Sequence, residues 1–242
     1  ADNKIVQGLL GNLSNLKTER VAATKAKNWK KFEVTDSMAT RVKLMGDGDI
    51  VSDIMIGKFN FKQIPSTNPY QRQPQTKTNT FVRRSDDETV YSVDGFLRMS
   101  FQPTISSYRD KNLVSKSPND INRLTFSYPA DSGYVLQKQG GQWMIDGLKA
   151  DSASAARFVN KISRMKSGDF EKDATSRQSE TPALSLKIEG NNFNPIVIEA
   201  FPADSSMQYI INSTANPGSW FNGRKNGLWE KIFISRKELT NQ

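Results

Sequence analysis

One stretch of this chain recurs in diverged form. Residues 1–17 read ADNKIVQGLLGNLSNLK and residues 150–166 read ADSASAARFVNKISRMK. At an offset of 149, Ala1-Asp2 meets Ala150-Asp151, Leu9-Leu10 meets Phe158-Val159, and Leu13 meets Ile162. Ser14, Leu16 and Lys17 then meet Ser163, Met165 and Lys166. Internal repetition constrains a fold more than any composition does, because each copy must be one supersecondary unit burying the same face. In both copies apolar residues recur at helical spacing behind an Asp placed to cap the first turn. Each stretch therefore predicts an amphipathic helix laid against a sheet.

The match resumes downstream in the same order. Val42-Lys43-Leu44 and Gly46 meet Leu186-Lys187-Ile188 and Gly190 at an offset of 144. Both pieces alternate as strands do, and each leads through a turn (Asp47-Gly48, Asn191-Asn192) into a second strand at 50–56 or 195–200. Phe81-Val82 meets Tyr209-Ile210 at 128, and Asp110-Lys111, Leu113-Val114 and Ser115-Lys116 meet Glu230-Lys231, Phe233-Ile234 and Ser235-Arg236 at 120. The expected fold class is α+β: two diverged repeats, 1–118 and 119–242, each a mainly antiparallel sheet with one amphipathic helix packed on it. The falling offset places insertions in the first repeat. The largest lies within 58–79, KFNFKQIPSTNPYQRQPQTKTN, whose Gln, Asn, Thr and Pro content predicts a long surface loop over 58–80 rather than an element. Ahead of the second helix lie three short predicted strands, 121–128, 134–138 and 142–145, joined at Asp131-Ser132-Gly133 and Gly140-Gly141. The first repeat has no counterpart of this meander, roughly 30 residues long by the repeat's own measure. The chain is expected to be cut from a longer protein.

The 242 residues include neither cysteine nor histidine. That removes thiolate chemistry, the commonest metal ligand and the usual base of a catalytic triad. A net charge of +9 raises nucleic acid as a partner, but the charges are dispersed. Lys25, Lys27, Lys30 and Lys31 surround Trp29, and Arg83-Arg84 is followed by Asp86, Asp87 and Glu88. This reads as a solvated basic surface, and no nucleic-acid partner is expected. No run reaches the ~18–20 apolar residues of a membrane span.

Several phrases now read together. Gly140-Gly141-Gln142-Trp143-Met144-Ile145-Asp146-Gly147 leads into the second capped helix; Thr89-Val90-Tyr91-Ser92-Val93-Asp94-Gly95-Phe96-Leu97 is followed by Tyr108-Arg109-Asp110-Lys111-Asn112-Leu113. Their order resembles the bacterial domain-of-unknown-function family numbered 4340. That family shows a strand pair ending in W-x-I/V-x-G, a helix, a hairpin, a VY-x-V-x-G phrase and an F/Y-R-D-K-x-L phrase. The resemblance implies no established activity. It implies an amino-terminal membrane helix, a position outside the cytoplasm, and encoding near ABC-type transporter subunits of the kind linked to gliding motility. The chain departs from the pattern in lacking the anchor and the opening strands. In the second repeat, Trp220-Phe221-Asn222-Gly223 and Trp229-Glu230-Lys231 replace the last two phrases.

The polar residues point away from catalysis. Asp94-Gly95 and Asp146-Gly147 read as turns, and Trp143 as core. Gly8 and Gly11 sit on a helix with no strand before it, so no phosphate loop is expected. Arg109, Asp110 and Lys111 read as a structural salt-bridge cluster. Asp47, Asp49 and Asp53 lack the terminal Glu of a calcium loop. The carboxylates at 86–88 and at Asp169 and Glu171 fall in turns. No enzyme activity, cofactor or metal is expected. The expected function is a non-catalytic extracytoplasmic interaction module, accessory to an ABC-type transporter or envelope complex, with protein partners and a membrane anchor absent from this chain. A carboxylate-based envelope hydrolase or glycan-binding protein is the alternative. The expected interaction surface is the 58–80 segment with Phe59, Phe61, Tyr70 and Arg72, and Arg83 and Arg84 beside it.

Overall fold

The computed structural model describes residues 1–64, 75–101, 104–171, 181–203 and 209–240. It divides into two units, Ala1–Tyr108 and Arg109–Gln242, each built on its own antiparallel sheet.

The first unit begins with helix α1 (Asn3–Ser14). The Asp2 carboxylate accepts from the backbone N–H groups of Lys4 at 2.9 Å and Ile5 at 3.4 Å, satisfying donors that the first turn leaves unpaired. There follow β1 (Thr18–Ala23), α2 (Trp29–Phe32), β2 (Thr40–Gly46), β3 (Asp49–Ile64), β4 (Gln75–Arg84), β5 (Val90–Asp94), α3 (Leu97–Ser100) and α4 (Ile105–Tyr108). The sheet order is β1-β5-β4-β3-β2. Asp47 and Gly48 join β2 to β3 with φ of 52° and 91°, the left-handed pair that a two-residue hairpin demands. Strand alternation gives the sheet two apolar faces. Met55, Phe81 and Val90 face Phe32, Val34 and the half-buried Trp29. Ile56, Val82 and Val93 face Leu97 and Phe101, with Leu9 and Leu13 of α1, and Leu16 just after it, half-buried over them.

The segment expected as a loop at 58–80 is largely sheet. Strand β3 runs on to Ile64 and β4 starts at Gln75, in register from Phe59↔Thr80 to Ile64↔Gln75. Polar composition misled here. A two-stranded arm pairs its own backbone groups, and Thr76, Thr78 and Thr80 are β-branched residues that suit a strand.

The second unit contains β6 (Ile121–Ser127), β7 (Tyr134–Gln139), β8 (Gln142–Ile145), β9 (Leu148–Lys149), α5 (Ser152–Ile162), β10 (Leu184–Gly190), β11 (Ile196–Pro202), β12 (Tyr209–Ser213), β13 (Trp220–Asn222) and α6 (Leu228–Ile232). Its sheet order is β13-β12-β11-β10-β6-β7-β8-β9. The three strands predicted ahead of the second helix are β6, β7 and β8. Helix α5, capped by Asp151 onto Ser154 N–H at 2.7 Å, buries Ala155, Phe158, Val159 and Ile162 in one core with Leu124, Leu136, Ile145, Leu186 and Ile188. The run β10 to β13 is a meander in the same order as β2 to β5. Phe170 bridges β13 on its outer side, where β1 lies on β5.

The unit boundary falls ten residues before the expected one, between Tyr108 and Arg109 rather than after residue 118. The cause is the segment around Leu113. Leu113 and Val114 are fully buried in the second core. The Leu113 N–H donates to the Met165 carbonyl at 2.9 Å, and its own carbonyl accepts from Ser213 Oγ at 2.6 Å. Apolar burial and saturated backbone bonds tie this segment to the second unit, although the repeat alignment assigns it to the first.

Candidate functional site

The first unit presents a patch of solvent-exposed aromatic side chains. Phe59 and Phe61 lie two residues apart on β3, so they share a face; they are 43% and 63% exposed. Phe96, 41% exposed, meets Phe59 edge-on with ring centroids 5.1 Å apart. What aims Phe96 outward is the buried Thr80 beneath it. Its hydroxyl donates to the Gly95 carbonyl at 2.6 Å and accepts from Leu97 N–H at 3.0 Å, pinning the residues on either side. Gly95 itself sits at φ 87°, a conformation that only a residue without Cβ adopts freely.

Next to Phe96 a groove of about 630 Å³ opens between α1 and the β5–α3 corner, lined by Gly8, Gly11, Asn15, Leu16, Phe96 and Leu97. A Cβ at Gly8 or Gly11 would meet nothing within 4 Å, so these glycines leave one helix face low and open. The groove's lining is mixed: Asn12, Asn15, Lys17 and Asp94 stand beside the apolar Leu16, Phe96 and Leu97. Lys17 and Asp94 bring charge of both signs to it. On the same sheet Lys77 pairs with Glu19 at 2.6 Å, and the Lys77 ammonium holds the Glu19 carboxyl below its usual range.

The other expected surface residues divide. Tyr70 and Arg72 lie outside the described residues. Arg83 is a correction: it is 3% exposed, with its guanidinium 3.7 Å above the Trp29 ring. It donates to the carbonyls of Arg84 at 2.9 Å, Asp87 at 3.1 Å, Ser85 at 3.2 Å and Val34 at 3.3 Å. This guanidinium is an internal clasp that folds the 84–88 turn onto the sheet, and it offers nothing to a partner. Arg84 does reach solvent, where it forks onto Asp86 at 2.9 Å and 3.0 Å.

Residues read as structural keep such roles. Arg109 lies 3.8 Å over the Phe170 ring. Asp110 accepts from the Asn112 N–H at 2.9 Å, and the Lys111 carbonyl accepts from Ser167 N–H at 2.9 Å. The predicted salt bridge is thus a cation–π contact with a local turn. Asp169 and Glu171 are engaged by Asn226 at 2.7 Å and Asn222 at 3.0 Å. Trp143 and Trp220 are buried, and Trp29 and Trp229 are half-buried against Arg83 and Tyr209. None is the exposed platform that a glycan-binding alternative requires.

Two features were invisible in the sequence. Lys161, Arg164, Lys166, Lys225 and Lys231 line a cleft of about 370 Å³ in the second unit, brought together from two distant segments of the chain. Tyr128 and Tyr134 both donate to the single carbonyl of Ile234, at 2.6 Å and 2.8 Å. Burial pushes the Tyr128 phenol up to about 12 and the Tyr134 phenol higher still.

An α+β chain of two antiparallel sheets, with an aromatic groove on the first, is the class that fold and site define. The family follows from the sequence. Residues 1–187 match the family described as Domain of unknown function (DUF4340), and the chain belongs to it. No curated protein and no solved structure matches the chain. Among the described residues, no helix is long and apolar enough to cross a membrane.

Proposed function

We propose that this chain is a non-catalytic interaction module that holds a protein partner against the Phe59–Phe61–Phe96 face of its first unit. The observation that carries this reading is the cluster itself: three phenylalanines kept in water, one of them aimed outward by a buried threonine, at the mouth of an open groove. Leaving such rings exposed forgoes the ~1.5–3 kcal/mol that burying each would return. A binding role explains that arrangement. The resemblance to the membrane-anchored family supports an extracytoplasmic setting and a partner in an ABC-type transporter or another envelope complex. The rival reading, an envelope hydrolase or sugar binder, draws less support, since the candidate acids and tryptophans are engaged by neighbours.

The test is co-purification from envelope membranes of the source organism, comparing the native protein with F59S/F61S. A Phe anchor at an interface contributes on the order of 2 kcal/mol, about thirtyfold in Kd. Recovery of a transporter or envelope subunit by the native protein, and its loss with F59S/F61S, is the expected result. Equal recovery by both proteins would sink the assignment of this face.

A further inference from the structure

The two sheets differ at one edge. In the second unit β10 has β11 on one side and β6 on the other, and β6 continues through β7 and β8. In the first unit the corresponding strand, β2, has β3 on one side and, among the described residues, nothing on the other. The burial follows this difference residue by residue. Leu186 and Ile188 of β10 are fully buried, whereas their counterparts in the repeat, Val42 and Leu44 of β2, are half-buried. Phe158, Val159 and Ile162 of α5 are buried, while Leu9 and Leu13 of α1 are half-buried and Leu10 is exposed. Beneath α1 an open groove of about 410 Å³ is lined by Leu10, Leu13, Leu44 and Ile54. In the second unit the matching space beneath α5 is filled by Leu124, Leu136 and Ile145, contributed by β6, β7 and β8.

We propose that the free edge of β2 and the groove beneath α1 seat a three-stranded antiparallel meander carried by the same polypeptide ahead of α1. It would run into α1 as β6 to β8, through the short β9, run into α5. Its first strand would pair along Thr40–Gly46, and its alternate apolar residues would fill the groove. An unpaired strand edge together with a half-filled apolar groove is a template for strand addition. A lysine on such an edge can be a guard against pairing. Lys43 is no such guard, because its counterpart Lys187 sits in a strand paired on both sides and points to solvent beside Glu189 at 2.8 Å. This proposal concerns a different surface from the Phe59–Phe61–Phe96 face and does not depend on it.

The experiment is hydrogen exchange on this chain and on the same chain extended by the residues its gene encodes directly before Ala1. The extension is expected to slow exchange of the β2 peptide by roughly a hundredfold and to leave β4 and β5 unchanged. In the extended protein, Leu44→Lys should abolish that added protection, while intact β4 and β5 protection shows the unit still folded. Three results would overturn the proposal. One is unchanged β2 exchange in the extended protein. Another is added protection that L44K leaves in place. The third is concentration-dependent β2 protection in the unextended chain, which would assign the edge to a second copy.

Discussion

Replacing Arg83 should unfasten the first unit and leave the second intact. Its guanidinium makes four hydrogen bonds to backbone carbonyls, three of them from one nitrogen, and stacks 3.7 Å over Trp29. One nitrogen has two hydrogens, so the three acceptors on it share about two bonds' worth of energy. Counting three bonds' worth at roughly 1.5–3 kcal/mol for a charged bond, and about 1 for the stack, gives a gross loss near 5–10 kcal/mol. Relief of the arginine's own desolvation offsets part of this, so Arg83→Ala should cost about 3–4 kcal/mol. Arg83→Lys keeps the charge but not the planar fork, and should cost about half as much. The assay is urea-dependent hydrogen exchange read separately on β3–β5 and on β10–β12, with the second set as internal control. A loss below about 1 kcal/mol in Arg83→Ala, or an equal loss in both units, would refute the clasp.

Three further outcomes follow from named contacts. Leu113→Ala should destabilise the second unit by about 2–5 kcal/mol and spare β3–β5; a loss confined to the first unit would restore the boundary at residue 118. The raised Tyr128 and Tyr134 phenols mean the folded chain holds its protons more tightly than the unfolded one. Their contribution is therefore intact below about pH 10 and lost as pH rises through the folded value of about 12 for Tyr128. Absorbance at 295 nm should show two phenols still neutral at about pH 11 until urea is added; simultaneous ionisation of all six in the folded state would contradict the shared carbonyl bond. Arg41 holds the Asp53 carboxyl below its usual value through paired bonds of 2.6 Å and 2.9 Å. That contribution is present above the ordinary carboxylate pKa and fades as pH falls through the depressed one, so D53N should flatten the acid limb of thermal melts.

How much of this was legible in the sequence depended on whether the signal was local. The capped helices at Asp2 and Asp151 and the strands β6 to β8 stood out because periodicity and turn residues lie within a dozen positions. The family phrases were legible for the same reason. The arm at 58–64 and 75–80 was not. Its threonines and glutamines look like a loop until each is placed opposite a residue of the other strand, and that register is a long-range fact. Arg83 was misplaced because nothing beside it in the chain announces Trp29, which lies more than 50 residues earlier. Leu113 shows the converse failure, since the sequence match assigned to one unit a segment whose burial belongs to the other. Phe59 and Phe61 were picked out as apolar residues in a polar stretch. Phe96 escaped because only the Thr80 bonds show which way it points.

The central claim is that the aromatic face of the first unit is a docking surface for protein. The most direct measurement places a photo-crosslinking amino acid at Phe61, and separately at the exposed Leu148 of the second unit, in protein assembled in native envelope membranes. One dominant adduct with a transporter or envelope subunit is expected from Phe61, absent from Leu148 and removed when Phe59 and Phe96 are changed to Ser. No adduct from Phe61, or the same adducts from both positions, would contradict that claim.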